Sequence, residues 1–154
     1  IAMGGVFSSS ASEWNIKCDP EAAKIVMDYA EHLMMFGLEV TKHCLIPDEF
    51  MNQLCPVTND RMQYYQKGIQ IFREKTGYVY TFHDVLLMAY LLDEEVVETE
   101  QSDFTVELSG TYTRGSIVFN TNAYALHTNI AKDFHYAKSM NVKKFRELVN
   151  QRVY

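Results

Sequence analysis

Asp19-Pro20-Glu21-Ala22-Ala23-Lys24-Ile25-Val26-Met27-Asp28-Tyr29-Ala30, followed by His32-Leu33-Met34-Met35-Phe36-Gly37-Leu38-Glu39-Val40, is the stretch that decides the fold. Asp19 carries a short carboxylate able to cap a helix, Pro20 suits the first helical position, and Glu21 sets negative charge at the positive end of the helix dipole. A helix is expected to run through Ala30. His32 to Val40 is apolar and short, which predicts a buried strand with Thr41 at its exit. Upstream, Ile1-Ala2-Met3-Gly4-Gly5 reads as the end of another buried strand, and Ser8-Ser9-Ser10-Ala11-Ser12 as the loop that leaves it. Strand, loop, helix and strand is the rhythm of a parallel α/β sheet. The expected fold class is therefore α/β, part of a mainly parallel sheet flanked by helices.

Further along, Pro47-Asp48-Glu49 starts a short helix to Leu54. A longer one is expected from Asn59 to Glu74, with Met62, Tyr65, Ile69 and Phe72 at helical spacing and Gly77 ending it. Tyr78 to Phe82 is an aromatic loop or short extended piece leading to His83-Asp84, which opens the apolar helix Val85 to Leu92. Asp93-Glu94-Glu95 reads as a solvated turn. Phe104 to Leu108 and Ser116 to Phe119 look like two strands joined through Gly110-Thr111-Tyr112-Thr113-Arg114-Gly115, giving a hairpin near residues 104–119. Val142 to Val153 is an amphipathic helix with Phe145, Leu148 and Val149 on one face. No internal repeat, low-complexity tract or linker interrupts the chain.

At 154 residues the chain has the length of one domain. Its 47% hydrophobic and 22% charged residues are ordinary for a globular protein. No stretch approaches the roughly 20 apolar residues that span a bilayer, so no membrane role is expected. A net charge of -6 argues against nucleic acid as a partner, because a polyphosphate is usually met by a basic face. Cys18, Cys44 and Cys55 make an odd number without a repeated framework, which points to a reducing, cytoplasmic setting. His43-Cys44 with Cys18 and Cys55 lacks close metal-ligand spacing, which disfavours zinc. There is no G-x-S-x-G, P-loop or G-x-G-x-x-G.

Short groups spread along the chain carry more information together than singly. Met3-Gly4-Gly5, Glu13-Trp14-Asn15, Asp19-Pro20-Glu21-Ala22-Ala23, Gly37-Leu38-Glu39-Val40-Thr41, His83-Asp84, and Val106-Glu107-Leu108-Ser109-Gly110 with Arg114-Gly115 occur in that order. The series resembles the inosine–uridine-preferring nucleoside hydrolase family, where the corresponding motifs are M-G-G, E-F-N, D-P-E-A-A, G-L-D-V-T, H-D, V-E-x-x-G and R-G. The resemblance implies that residues 1–154 are the C-terminal part of a single nucleoside hydrolase-like domain. It implies calcium-dependent hydrolysis of ribonucleosides to ribose and free base, as part of a larger enzyme, and a place in nucleoside metabolism and purine salvage.

Cleavage of an N-glycosidic bond leaves positive charge on the ribose and negative charge on the departing base. A catalyst must orient the sugar, activate water and protonate the base. By resemblance, His83 is the leaving-group acid, a role suited to an imidazole whose unperturbed pKa is about 6.5. Asp84 would be a calcium ligand, offering the hard oxygen that this ion prefers. Glu13 and Asn15 would hydrogen-bond ribose hydroxyls, Trp14 would pack beside the sugar or base, and Met3 would close the apolar side of the ribose pocket. Taken without the family, the same residues read as a capping Asp84, a core Met3, a packing Trp14 and polar loop groups at Glu13 and Asn15. Tyr78, Tyr80 and Phe82 could stack on a nucleobase or belong to the core.

Two features of the family pattern are missing. No aspartates fall at the D-x-D-x-x-x-D-D spacing that supplies the general base and most calcium ligands, and the Ser8–Ser12 loop lacks the G-N-x-T-like element that contacts the sugar 5′-hydroxyl. The expected partners are a small-molecule ribonucleoside and either further copies in a homo-oligomer or a missing N-terminal half. The competing reading is a noncatalytic nucleoside-binding or assembly module derived from the family.

Overall fold

The computed structural model describes residues 1–54, 60–119 and 132–152. Cys55, Asn59 and Val153, and the side chain of Met62, lie outside the described residues. A four-stranded sheet runs in the order β1 (Ala2–Met3), β2 (His32–Phe36), β6 (Asp133–Met140) and β3 (Val97–Gln101). β1 pairs parallel with β2, and β2 parallel with β6, while β3 closes the far edge antiparallel to β6. The sheet is thus mainly parallel, as the strand–helix–strand rhythm implies.

β2 explains why the sheet has two covered faces. Leu33 and Met35 point into a cluster with Ile16, Met27, Phe104, Ile117 and Phe134, whereas Met34 and Phe36 point into another with Val40, Leu86, Ala137 and Phe145. Alternate side chains of one strand are buried on opposite sides, which is why its sequence is apolar throughout. Helices α1 (Trp14–Cys18) and α2 (Pro20–Tyr29) contribute to the first face, together with the antiparallel pair β4 (Phe104–Val106) and β5 (Ile117–Phe119). Helices α3 (Leu38–Thr41), α4 (Asp48–Leu54), α5 (Asp60–Thr76), α6 (Val85–Leu92) and α7 (Val142–Arg152) contribute to the second.

The local signals are realised at several helix ends. Asp19 accepts a hydrogen bond from the Ala22 amide at 2.9 Å and Pro20 is the first helical residue of α2, which ends at Tyr29. Gly77 closes α5 with a φ of 73°, the left-handed conformation that glycine adopts at little cost. Helix and strand ends shift by one or two residues elsewhere, but one element changes character. The apolar run His32–Val40 is not a single strand: Gly37 breaks it after Phe36, and Leu38–Thr41 winds into α3, with the Thr41 amide donating to the Gly37 carbonyl at 3.1 Å. The acidic turn after α6 is a short 3-10 helix, Glu94–Val96, capped by Asp93, and Asp93 and Glu95 both pair with Lys144 of α7.

Candidate active site

The first group of polar residues gathers just beyond the carboxyl end of β1. The parallel ladder continues past the strand, with the Gly4 amide donating to the Phe36 carbonyl at 3.1 Å and the Leu38 amide donating to the Gly5 carbonyl at 2.9 Å. Glu13 is buried and caps α1. Its Oε2 accepts the amides of Asn15 at 2.8 Å, Ile16 at 3.2 Å and Gly5 at 3.3 Å. One carboxylate oxygen therefore ties the helix start to the strand end. Asn15 Nδ2 reaches back to Met3, lying 3.1 Å from its sulfur and 3.4 Å from its carbonyl oxygen. Met3, Glu13 and Asn15 are thus brought together, while Trp14 stands on the outside of α1 at 74% exposure.

The second group lies beyond the end of β2. Glu39 Oε1 accepts the Phe7 amide at 2.9 Å, binding α3 to the loop that leaves β1. At the other end of α3, Thr41 Oγ1 sits 2.9 Å from His83 Nδ1. His83 is carried there by the aromatic stretch before it, which runs against the Cys44–Ile46 backbone. The Phe82 amide donates to the Cys44 carbonyl and the Ile46 amide to the Tyr80 carbonyl, each at 2.9 Å. Burial of the imidazole pulls the His83 pKa below the ordinary histidine range, against the opposite pull of the Asp84 and Glu13 carboxylates. The bond from the Leu38 amide to the Gly5 carbonyl joins the strand end that carries the first group to the helix that carries Thr41.

Asp84 precedes α6 and is exposed, and its carboxylate caps no amide of that helix. A cavity of about 580 Å³ opens beside the pair, lined by His83, Asp84, Tyr65, Tyr78, Tyr80 and Phe82. Tyr80 meets Phe82 edge to face at a centroid distance of 5.9 Å, and Phe72 meets Tyr80 in the same way at 5.4 Å. Tyr65 of α5 joins this wall. Its phenol pKa is raised by burial first and by the neighbouring Tyr80 second. The aromatic stretch therefore belongs both to the packing and to the cavity wall.

The donor set bears on the metal. Calcium takes about six to eight oxygen ligands. Among the described residues, no group of three or more histidine, cysteine, aspartate or glutamate side chains is arranged to hold a metal ion. Glu13 Oε2 is spent on backbone amides, and Asp84 is the carboxylate that lines the cavity beside His83. These residues alone do not fit a calcium site.

Thr41 and Tyr65 escaped the sequence reading. Thr41 had a signal in the Gly37-Leu38-Glu39-Val40-Thr41 group, but only the fold brings it to His83. Tyr65 was visible only as an apolar position on a helix.

A parallel sheet with polar groups collected outside the carboxyl ends of its strands is the usual setting of an α/β ligand-binding or catalytic site. The family model described as inosine-uridine preferring nucleoside hydrolase matches residues 1–147, and the chain belongs to that family. It is 31% identical over 152 residues to the inosine-uridine preferring nucleoside hydrolase of Crithidia fasciculata, an alignment covering 90% of this chain and 48% of the relative. The non-specific ribonucleoside hydrolase RihC of Salmonella paratyphi B is 32% identical over 126 residues, or 77% of this chain and 40% of that protein. Among solved structures, the purine-preferring ribonucleoside hydrolase from Gardnerella vaginalis superposes with a TM-score of 0.80 at 23% identity, covering 98% of this chain and 50% of that one. An inosine-guanosine nucleoside hydrolase gives 0.79 at 20% identity, covering 96% and 49%. The chain spans about half the length of the relatives it matches. The family is consistent with a metal cofactor, and no helix among the described residues is long and apolar enough to cross a membrane.

Proposed function

We propose that residues 1–154 form the C-terminal part of a nucleoside hydrolase domain that cleaves the N-glycosidic bond of ribonucleosides to ribose and free base. The observation that carries the reading is the His83 ring, anchored on Thr41 and lining an aromatic cavity. In this reading the base lies against the aromatic wall, and His83 gives a proton to it as the C1′–N bond breaks and the bonding pair leaves with the base. Water supplies the hydroxyl that C1′ gains. Glu13, Asn15 and Met3 border the ribose, and Trp14 covers it from α1. Asp84 is one ligand of a calcium ion whose remaining ligands, like the group that activates water, come from another segment or another chain.

The same reading makes the protein a cytoplasmic, homo-oligomeric enzyme of nucleoside metabolism and purine salvage. Its net charge of -6 suits a small ribonucleoside better than a nucleic acid. The lack of a metal-holding group among the described residues favours a second reading, a noncatalytic nucleoside-binding or assembly module.

Release of hypoxanthine from inosine and of uracil from uridine, measured with and without calcium, separates the two. Turnover that chelation suppresses and His83→Ala lowers by about 10²-fold or more supports the hydrolase. Nucleoside binding without turnover by this chain supports the module. Turnover indifferent to both changes overturns the proposed roles of His83 and calcium.

A further inference from the structure

Thr41 is fully buried at 0% exposure, and a buried hydroxyl without a partner is costly. Its partner here is His83 Nδ1 at 2.9 Å, 42 residues further along the chain. Each end of this contact is held by backbone. Thr41 closes α3, its amide bonded to the Gly37 carbonyl and its own carbonyl accepting the Cys44 amide at 3.0 Å. His83 follows Phe82, whose amide is bonded to the Cys44 carbonyl at 2.9 Å. With both backbones fixed, the side-chain contact determines how the imidazole is rotated, and Nε2 is the nitrogen left for a ligand in the adjoining cavity.

We propose that Thr41 is a positioning residue for His83: its hydroxyl oxygen accepts the Nδ1 proton, fixes the ring, and leaves Nε2 to hand a proton to the departing base. The transfer step rests on the hydrolase reading above, whereas the ring orientation rests on the geometry of this chain alone. In that step the Nε2–H bond breaks, an N–H bond forms on the base, and the base keeps the electron pair of the severed C1′–N bond. The ring ends neutral with its proton on Nδ1, so the bond to Thr41 is the same before and after transfer. An oxygen that donated to Nδ1 would have to reverse its role during the step.

Two measurements test the proposal. Long-range ¹H–¹⁵N spectra of the His83 imidazole, recorded on the full chain at alkaline pH where the ring is neutral, report which nitrogen carries the proton. The wild type and Thr41→Ser are expected to hold it on Nδ1, and Thr41→Val to give a mixture of tautomers. A wild-type ring without that preference, or a Thr41→Val spectrum like the wild type, overturns the proposal. If Thr41→Val does not fold, Thr41→Ala takes its place, and the wild-type spectrum alone remains decisive.

The second measurement is turnover. An aryl riboside with a good leaving group needs no proton from the enzyme, whereas inosine does. Thr41→Val is expected to lower kcat on inosine by roughly 10- to 100-fold with KM little changed, to spare the aryl riboside, and to be rescued by Thr41→Ser. Equal losses on both substrates overturn the positioning role. No turnover by the wild type counts against this chain acting as a hydrolase by itself, and the spectra then decide the role of Thr41.

Discussion

The Cys44 sulfur lies 3.7 Å from the sulfur of Met140, with none of the residue exposed, and burial pushes the thiol pKa up to about 12 from 9.0. The exposed Cys18 is subject to no such burial. Because the thiolate is the reactive species, iodoacetamide at pH 8 should label Cys18 in the folded chain and leave Cys44 at least about a hundredfold slower until denaturant is added. Peptide mass mapping reads the outcome, and equal labelling rates would show that the Cys44 site opens readily. The unfolded thiol loses its proton near 9, while the folded one keeps it to about 12. The stabilising contribution of this group is therefore intact below pH 9 and declines as pH rises toward 12. At this scale the candidate site was half legible. His83, Asp84, Glu13 and Asn15 stand out as neighbours in short motifs, but the value of Thr41 comes from a contact spanning 42 residues, which no local pattern encodes.

Gly5 shows how elements constrain one another around the site. It lies at the carboxyl end of β1 with a φ of +82°, and an added Cβ would come within 2.6 Å of the Ile117 side chain on β5. Gly5→Ala is therefore strained in its backbone and crowded against the β4–β5 pair. Thermal unfolding should reveal a loss of about 1–3 kcal/mol. An unchanged melting temperature would mean that the close approach of β1 and β5 contributes little. The capped helix α2, the apolar strand β2 and the β4–β5 hairpin were readable because each has strong local chemistry. β3 and β6 were not. β3 is an edge strand whose sequence, Val-Glu-Thr-Glu-Gln, buries only Val97, and its charged side chains guard the edge instead of advertising a core. β6 buries only Phe134 and Ala137, on opposite faces and among polar neighbours, so its sequence offers no continuous apolar run.

At the scale of the whole molecule, α6 leaves apolar surface uncovered among the described residues. Val85-Leu86-Leu87-Met88-Ala89-Tyr90-Leu91-Leu92 buries Leu86 and Ala89, yet Met88, Leu91 and Leu92 are exposed. A helix apolar on every side is one that water solvates poorly. Met88→Lys with Leu91→Lys should raise the concentration at which the chain begins to associate, measured by light scattering, while moving the melting temperature by only a few degrees. A large drop in melting temperature would instead mark these side chains as part of the packed interior. The remaining consequence belongs to β2. Leu33 and Met35 load one layer of the core and Met34 and Phe36 the other, so neither layer can melt while the other keeps this strand in place. The sheet is thereby a mechanical coupling between the layers, and heat should dissolve both in a single cooperative transition.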